Sequence, residues 1–236
     1  MLFRSKGNLF HLDGGNIHTY RRMIHHMDEG IGRVMATLEQ HGIADDTLII
    51  FTSDNGGERF SKTWPFTGQK TELLEGGLRV PTLLRWPARI RPQVQAQVSI
   101  TMDWLPTLLE AAGVAPHPDY PSDGLSILPV LLGEAKPFPR TLYWRYKANA
   151  QRAVREGDWK YLKINENEFL FDVAVDTLER ANLGRQHPAV FERLKADWAR
   201  WDAGMLPITA EVYSHGVAPE VQADRYRPES QAPTGV

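Results

Sequence analysis

The sequence has no cysteine, little net charge and no long apolar run. Without cysteine, its 236 residues cannot form disulfides, thiolate metal sites or a cysteine nucleophile. A formal net charge of −2 gives no electrostatic reason to expect nucleic acid or an anionic membrane as a partner. The N-terminal text "MLFRSKGNLFHLDGG" has no apolar core of a secretory signal. The sequence therefore leaves the compartment unknown and predicts a cytoplasmic chain as it stands.

What is present is typical of a folded protein, with 42% hydrophobic and 24% charged residues. Residues 19–42 predict an amphipathic helix, because apolar residues recur there at three- and four-residue steps. These residues are Ile24, Met27, Ile31, Val34, Met35 and Leu38. The run "TLIIFT" at 47–52 predicts a buried strand of an α/β sheet, and "LRVPTLLRWP" at 78–87 predicts a second strand. A further helix is expected within 98–113, with Asp103 as its candidate N-cap.

After Gly113 the composition changes to proline-rich connectors and then to short strand-like segments with turn residues between them. Their spacing predicts an antiparallel sheet, and a helix follows at 188–204. We therefore divide the chain into three parts. Residues 1–113 form an α/β part, and residues 114–206 form a sheet with a closing helix. Residues 207–236 form an extended or disordered tail.

One short stretch, "SDNGG" at 53–57, is a candidate site because it directly follows the first predicted strand. Ligands of α/β sheets gather at the carboxyl ends of strands. Asp54 and Asn55 would offer hard oxygen donors there, which suit Ca²⁺ or Mg²⁺. The alternative is plain turn chemistry, since Asp, Asn and Gly are the leading turn residues.

A second stretch, "GQKTELLEGGLRVP" at 68–81, places Lys70 in a loop between glycines, just ahead of the second strand. A cation beside a metal is useful where both face an anion, although most lone lysines are simply solvated. Glu75 is expected to brace this loop through backbone N–H groups. Arg79 is expected either to add positive charge near the site or to pair with a neighbouring carboxylate.

These stretches together resemble the sulfatase family of the alkaline-phosphatase-like superfamily. The resemblance rests on "MDEGIGRVMATLEQHGIADDTLIIFTSDNGGE", "GQKTELLEGGLRVPTLLRWP", "ITMDWLPTLLEAAG" and, later, "AVREGDWKYL". It implies an α/β fold, a partial alkaline-phosphatase/sulfatase-like sandwich with a small C-terminal antiparallel sheet and a closing helix. It also implies that Asp54 and Asn55 are ligands of calcium or magnesium and that Lys70 contacts the sulfate as a catalytic, substrate-binding residue.

The sequence lacks the motif from which the family makes its nucleophile. Sulfatases use a formylglycine made within a Cys/Ser-x-Pro-x-Arg motif, and the chain has no such motif. The family's early Asp-Asp metal pair is also missing. Asp45 and Asp46 are adjacent aspartates, but they precede the first predicted strand and so lie at the opposite end of it from Asp54. The resemblance therefore predicts the C-terminal portion of a sulfuric ester hydrolase, with an incomplete metal site and little activity alone.

Two alternatives stay open beside a sulfate monoester hydrolase. The same scaffold and charges suit a phosphate or phosphonate monoester hydrolase. A chain without a nucleophile is also consistent with a non-catalytic binding or assembly module, which would form a homo-oligomer or pair with a separate N-terminal half.

Overall fold

The computed structural model describes residues 16–58 and 60–212. Its N-terminal part contains helix α1 (Ile17–Gln40), strand β1 (Ile49–Thr52), the short helix α2 (Glu75–Leu78) and strand β2 (Thr82–Arg85). Asn16 caps α1, because its side-chain oxygen accepts hydrogen bonds from the backbone N–H groups of His18 and Thr19 at 3.0 Å. The predicted helix and both predicted strands of this part are confirmed.

Strand β1 differs from the prediction in its burial. It pairs antiparallel with β2, with Ile49 opposite Arg85 and Thr52 opposite Thr82. All four residues of β1 are half-buried rather than buried. Within the described residues β2 is its one strand neighbour, so the other edge of β1 has no strand to cover it.

Helix α3 (Trp104–Ala111) follows a single 3₁₀ turn at Thr101–Asp103, and the proline-rich connector contains helix α4 (Leu128–Leu132). Asp103 is the N-cap residue of α3, as predicted, but its side chain makes no capping hydrogen bond to that helix. Because the 3₁₀ turn comes first, the Asp103 carboxylate turns back and accepts the Ile100 N–H at 2.8 Å. It also accepts the Leu125 N–H at 2.9 Å and pairs with Arg140. Asp103 is thus a buried anion that joins three segments.

The C-terminal part is an antiparallel sheet closed by a helix, as predicted. Strands β3 (Thr141–Tyr146), β4 (Gln151–Glu156), β5 (Trp159–Ile164) and β6 (Asn167–Asp172) pair in sequence order. Gly157 forms the β4–β5 turn with a φ of 58°, which costs glycine nothing. Helix α5 (Pro188–Asp202) begins on a proline, whose missing N–H is harmless at that position.

Side chains of this sheet alternate between two apolar clusters, one on each face. One face packs against α5 through Val154, Tyr161, Leu170, Leu194 and Trp198. The opposite face packs against the segment that leads into α2, through Leu73, Leu74, Ala153, Leu162, Ile164, Phe171 and Val173. The sheet therefore packs on one side against the loop at 68–81, which carries Lys70 and is called the Lys70 loop below. On the other side it packs against α5.

The remaining expectations concern boundaries and the tail. The division at residue 113 stays a prediction. Residues 213–236, most of the predicted tail, lie outside the described residues. None of the described helices is long and apolar enough to cross a bilayer.

Candidate active site at the end of strand β1

Asp54 and Asn55 begin the loop that follows β1, as predicted, and both line a cleft of about 590 Å³. Asp54 is exposed and Asn55 is half-buried. The Ser53 hydroxyl donates a hydrogen bond to the Asn55 carbonyl at 2.8 Å, which fixes the backbone of the pair. Two polar side chains that offer oxygen donors thus line the same cleft.

The loop that carries Lys70 is bonded directly to the loop that carries the Asp-Asn pair. The Lys70 N–H donates to the Gly57 carbonyl at 2.9 Å, and the Gly56 N–H donates to the Gly77 carbonyl at 2.8 Å. The two loops are therefore bonded to each other through their backbones.

The close approach of these loops explains Gly56, because a Cβ there would lie 1.8 Å from the Gly76 carbonyl oxygen. Gly77 is required by a contact within its own loop, since a Cβ there would lie 2.0 Å from the Glu72 carbonyl oxygen. Neither glycine has a positive φ, so turn geometry does not require it. Contact between two backbones is what requires glycine here, which weakens the alternative of a plain turn.

The side chain of Lys70 is half-exposed and faces Glu58, with Nζ 3.7 Å from Oε2. Lys70 is not among the residues that line the cleft. Exposed pairs of this kind contribute little to stability. The structure thus joins the backbone of Lys70 to the Asp-Asn loop, whereas its ammonium lies over a carboxylate at the surface.

Two arginines line the cleft. Arg79 is exposed, and its guanidinium lies over the ring of Phe66 at 4.7 Å from the centroid. Arg155, on β4, was not singled out by sequence reasoning. The positive charge of the cleft therefore comes from both the α2 end and the C-terminal sheet.

Beneath the cleft is a buried ionic cluster formed by Glu75, Arg155, Lys160 and Glu179. Lys160 Nζ lies 3.0 Å from a Glu75 oxygen and 2.9 Å from a Glu179 oxygen, and Lys160 is fully buried. Arg155 Nη1 lies 3.3 Å from the second Glu75 oxygen. The Glu75 N–H donates to Glu179 at 2.6 Å, so the first turn of α2 is bonded to the C-terminal part.

The cluster shifts the two carboxyl groups in opposite directions. Burial raises the pKa of Glu75, but Lys160, Arg155 and Arg79 outweigh it and hold that pKa below its ordinary value of 4.5. Burial raises the pKa of Glu179, and the single cation Lys160 does not offset it. Glu75 was expected to brace its loop through backbone N–H groups, but its carboxylate instead meets Arg155 and Lys160, and its own N–H donates to Glu179.

One signal in the sequence could have found Lys160. On β5 it shares a face with Leu162 and Ile164, which belong to the apolar cluster under the Lys70 loop. A lysine at an apolar position of a strand needs a buried partner. Glu179, in contrast, lies in a connecting segment and carries no comparable signal.

The described residues do not by themselves make a complete metal site. No group of three His, Asp or Glu side chains placed to hold an ion is found within 16–58 and 60–212. Asp54 and Asn55 are hard oxygen donors of the type that Ca²⁺ and Mg²⁺ prefer, but two donors fall short of the roughly six to eight that Ca²⁺ takes. The donor chemistry fits the ion, and the number of donors does not.

Two family models match the chain. The model described as "Sulfatase" matches residues 5–114, and the model described as "N-sulphoglucosamine sulphohydrolase, C-terminal" matches residues 68–200. The second match covers more than half of the chain and crosses from the Lys70 loop into α5.

Similar proteins agree with these matches. The choline-sulfatase of Rhizobium meliloti (strain 1021) is 35% identical over 173 residues, which cover 70% of this chain and 32% of that protein. The crystal structure of Ps i-CgsB is 26% identical, with a TM-score of 0.73 over 80% of this chain and 44% of that one. The phosphonate monoester hydrolase SpPMH of Silicibacter pomeroyi is 25% identical, with a TM-score of 0.54 over 78% of this chain and 41% of that one.

The chain therefore spans about a third of the length of that relative and less than half of each solved neighbour. Their fold confirms the predicted α/β architecture of the alkaline-phosphatase-like type with its antiparallel C-terminal sheet. Members of the family generally use a divalent metal. On the family matches and the fold together, this chain belongs to the sulfatase family.

Proposed function

We propose that this chain supplies two metal ligands, Asp54 and Asn55, and a sulfate-binding cation, Lys70, to the active site of a sulfuric ester hydrolase. The observation that carries the proposal is the pair of backbone hydrogen bonds, Lys70 to Gly57 and Gly56 to Gly77, which ties the two loops together beside a cleft. A sulfate monoester has an anionic sulfate group and a neutral or polar organic group. A cleft lined by both charged and apolar side chains can bind the two together.

In this proposal Asp54 and Asn55 contribute oxygen ligands to Ca²⁺ or Mg²⁺, and further ligands come from outside the described residues. When bound, such an ion acts as a Lewis acid that offsets charge on the sulfate oxygens. Asp54 is exposed and has no hydrogen-bond partner among the described residues that would compete for its carboxylate.

Lys70 supplies the second positive charge. Its ammonium pairs with Glu58 at 3.7 Å, a half-exposed contact that is weak enough to exchange for a sulfate oxygen. The bond to Gly57 holds the Lys70 backbone beside the loop of Asp54, and in this proposal the Lys70 side chain rotates to meet the anion. A preplaced cation that meets developing negative charge lowers the barrier without reorganisation during the reaction.

The chain has no formylglycine motif, so we expect little sulfatase activity from it alone. An assay of the purified chain with an aryl sulfate measures this directly. Turnover at rates typical of an enzyme would show that the nucleophile lies within this chain and would contradict the proposal.

The site residues are tested in an enzyme completed by an N-terminal sulfatase half. We expect Asp54→Ala and Lys70→Ala each to lower kcat/KM for an aryl sulfate by about 100-fold or more, the loss typical of removing one preplaced charge. Asp46→Ala and Lys62→Ala are the matched controls, because Asp46 lies before β1 and Lys62 is exposed in the same loop as Lys70. Equal losses in the control variants would contradict the assigned roles.

A phosphate or phosphonate monoester hydrolase is the second candidate, favoured by the structural likeness to SpPMH. Tetrahedral oxyanions of sulfur and phosphorus place similar demands on a metal and a lysine. Matched sulfate, phosphate and phosphonate esters of one aryl alcohol separate the two candidates by the ratio of their kcat/KM values. A higher value for the phosphorus esters would favour the second candidate.

A further inference from the structure

The tight turn that carries Lys70 has a backbone conformation that its own residues disfavour. The Glu72 N–H donates to the Gln69 carbonyl at 3.0 Å, so residues 69–72 form a β-turn with Lys70 and Thr71 at its centre. Thr71 has a φ of 75°. In the third position of a turn such a φ normally calls for glycine or asparagine, and for a β-branched residue it is an outlier. The surroundings of Thr71 must therefore impose this conformation.

One buried side chain, Gln151 at the start of β4, contacts the backbone of this turn. Gln151 is 2% exposed. Its Nε2 donates to the Thr71 carbonyl at 2.8 Å, and its Oε1 accepts the Leu73 N–H at 2.9 Å. An amide offers a donor and an acceptor together, so one side chain bonds the backbone at two points. Gln151 thus holds the loop directly after Lys70.

Gln151 is itself preceded by a strained turn. Between β3 and β4, Asn149 and Ala150 have φ values of 57° and 44°. The Asn165 N–H donates to the Asn149 carbonyl at 2.7 Å, and Gln151 Nε2 also donates to the Ala148 carbonyl at 3.1 Å. Left-handed conformations of residues other than glycine cost free energy, and they cluster at functional sites. Backbone strain therefore lies on both sides of a single amide.

These contacts fix the backbone of Lys70 from two directions. The Lys70 N–H is bonded to the Gly57 carbonyl, and the next residue, Thr71, is bonded to Gln151. The Lys70 side chain is half-exposed and has a weak contact with Glu58, at 3.7 Å. The direction in which this side chain leaves the loop is therefore set by its backbone.

We propose that Gln151 is a positioning residue for Lys70, which it orients by holding Thr71 in a left-handed conformation. The inference rests on the proposed function only for the role of Lys70 at the sulfate. A charged group acts on a transition state only when it is held close to its productive geometry. Loss of the Gln151 contact should therefore lower kcat more than it changes KM.

Gln151→Glu makes the contact dependent on pH. An ionised carboxylate accepts the Leu73 N–H but cannot donate to the Thr71 carbonyl, whereas a protonated carboxyl does both. The contact should therefore be complete while the introduced carboxyl is protonated, and it should be lost as the pH rises through the pKa of that group in the folded protein.

The groups around this carboxyl favour its neutral form. On the same face of the sheet, Arg155 and Lys160 are already paired with Glu75. Lys147, in the preceding turn, donates instead to the carbonyls of residues 210 and 212. Glu72, between the two bonded residues of the loop, brings a negative charge nearby. Burial and these neighbours should therefore raise the pKa of the introduced carboxyl.

Asn182→Asp is the matched control. The Asn182 amide makes the same pair of bonds on β6, donating to the Glu168 carbonyl at 3.0 Å and accepting the Leu170 N–H at 3.1 Å. It has no contact with the Lys70 loop among its hydrogen bonds in the described chain. Asn182→Asp should therefore leave that loop unchanged at every pH.

Hydrogen exchange of this chain tests the contact without any activity. The Lys70 and Glu72 amides report on the turn. In Gln151→Glu their protection, relative to the unaltered protein at the same pH, should fall by about tenfold or more at about pH 8 and recover towards about pH 5. Far-UV circular dichroism at both pH values shows whether the fold is kept. Protection that does not depend on pH in the folded variant would overturn the proposal.

Kinetics of the enzyme completed by an N-terminal sulfatase half test the positioning role. The kcat of Gln151→Glu for an aryl sulfate, relative to the unaltered enzyme, should fall by about tenfold or more at about pH 8 and recover in acid. KM should change by about twofold or less, which a general loss of structure would not produce. Asn182→Asp should give a ratio that is flat with pH.

A second pair of variants covers the case in which Gln151→Glu does not fold. Gln151→Met keeps the length of the side chain without its hydrogen bonds and should lower kcat by about tenfold or more. Thr71→Gly makes the left-handed conformation free of strain. In that background Gln151→Met should cost about threefold or less, and equal losses in both backgrounds would overturn the proposal.

Lys70→Ala separates this inference from the proposed function. If Lys70→Ala loses activity while both Gln151 variants keep it, the positioning role is refuted and the proposed function stands. If Lys70→Ala keeps activity while the Gln151 variants still open the turn, the proposed function is refuted and the contact that fixes the turn remains.

Discussion

The two ends of this chain differ in how completely they bury their own apolar residues. The C-terminal sheet packs on both faces, against α5 on one side and against the α2 segment on the other. Helix α1 has no buried residue, and β1 is half-buried throughout. The sheet with α5 thus closes its own core, whereas α1 and β1 stay partly exposed within the described residues. The loops that carry Asp54 and Lys70 lie between these regions, because Gly56 bonds to Gly77 and Leu73 packs against the sheet.

Because the C-terminal part is the better buried region, we expect the largest loss of stability when its buried ionic cluster is mutated. Lys160→Met leaves Glu75 and Glu179 buried without their shared cation, so we expect a loss of about 3–5 kcal/mol in the free energy of unfolding. Urea unfolding followed by tryptophan fluorescence measures it. Lys163→Met on the same strand is the control, since its partner Glu166 is exposed and the expected loss is about 0.5 kcal/mol or less. Similar losses for both lysines would show that the cluster does not hold the α2 segment to the sheet.

Truncation of apolar side chains tests the contrast in packing. Leu170 on β6 is fully buried in the cluster that faces α5, and Leu170→Ala should cost about 2–5 kcal/mol. Val34 is 59% exposed on α1, and Val34→Ala should change the free energy of unfolding by about 0.5 kcal/mol or less. Chemical denaturation of both variants gives the comparison. A large loss at Val34 would mean that α1 already packs against this chain.

The contact between the two loops is tested at Gly56. A Cβ there would overlap the Gly76 carbonyl, so Gly56→Ala should force the Lys70 loop to move, at a cost of about 1–3 kcal/mol. Gly32→Ala adds the same methyl group in open space and serves as the control. Hydrogen exchange of the Lys70 and Gly56 amides should accelerate only in Gly56→Ala. Unchanged exchange would indicate that the loops are not held together by these bonds.

The smallest effect concerns pH. The folded protein holds the pKa of Glu75 below 4.5, so its ionised form adds stability above pH 4.5 that is lost as the pH falls through the lowered pKa. The difference in unfolding free energy between the unaltered protein and Glu75→Gln should therefore shrink below pH 4.5. The raised pKa of Glu179 has the opposite sign, because its contribution is fully present in acid and is lost as the pH rises. A Glu75→Gln difference that grows in acid would contradict the assigned pairing.

Several features of the fold followed directly from local patterns. The apolar spacing of residues 19–42 identified α1, and the run before Ser53 identified β1. The turn residues after Gly113 identified the antiparallel sheet. Asp54, Asn55 and Lys70 were selected because they follow or precede strands, and the structure joins their loops by backbone hydrogen bonds while their roles stay predictions.

Other features depended on residues far apart in the chain. Asp103 holds the predicted N-cap position of α3, but its carboxylate meets Leu125 and Arg140 instead of capping that helix. The cluster of Glu75, Lys160 and Glu179 joins residues about a hundred positions apart, and no local pattern reports such a partnership.

By itself the sequence determined the main helices and strands and the residues placed at strand ends, because helical and strand periodicities are local consequences of backbone geometry. Only the tertiary structure decided which loops touch, which charges are buried together and which apolar face is left uncovered. Those outcomes arise from packing and desolvation between segments that are distant in the sequence. Their free energies depend on which residues become neighbours in three dimensions, and local sequence patterns do not report this.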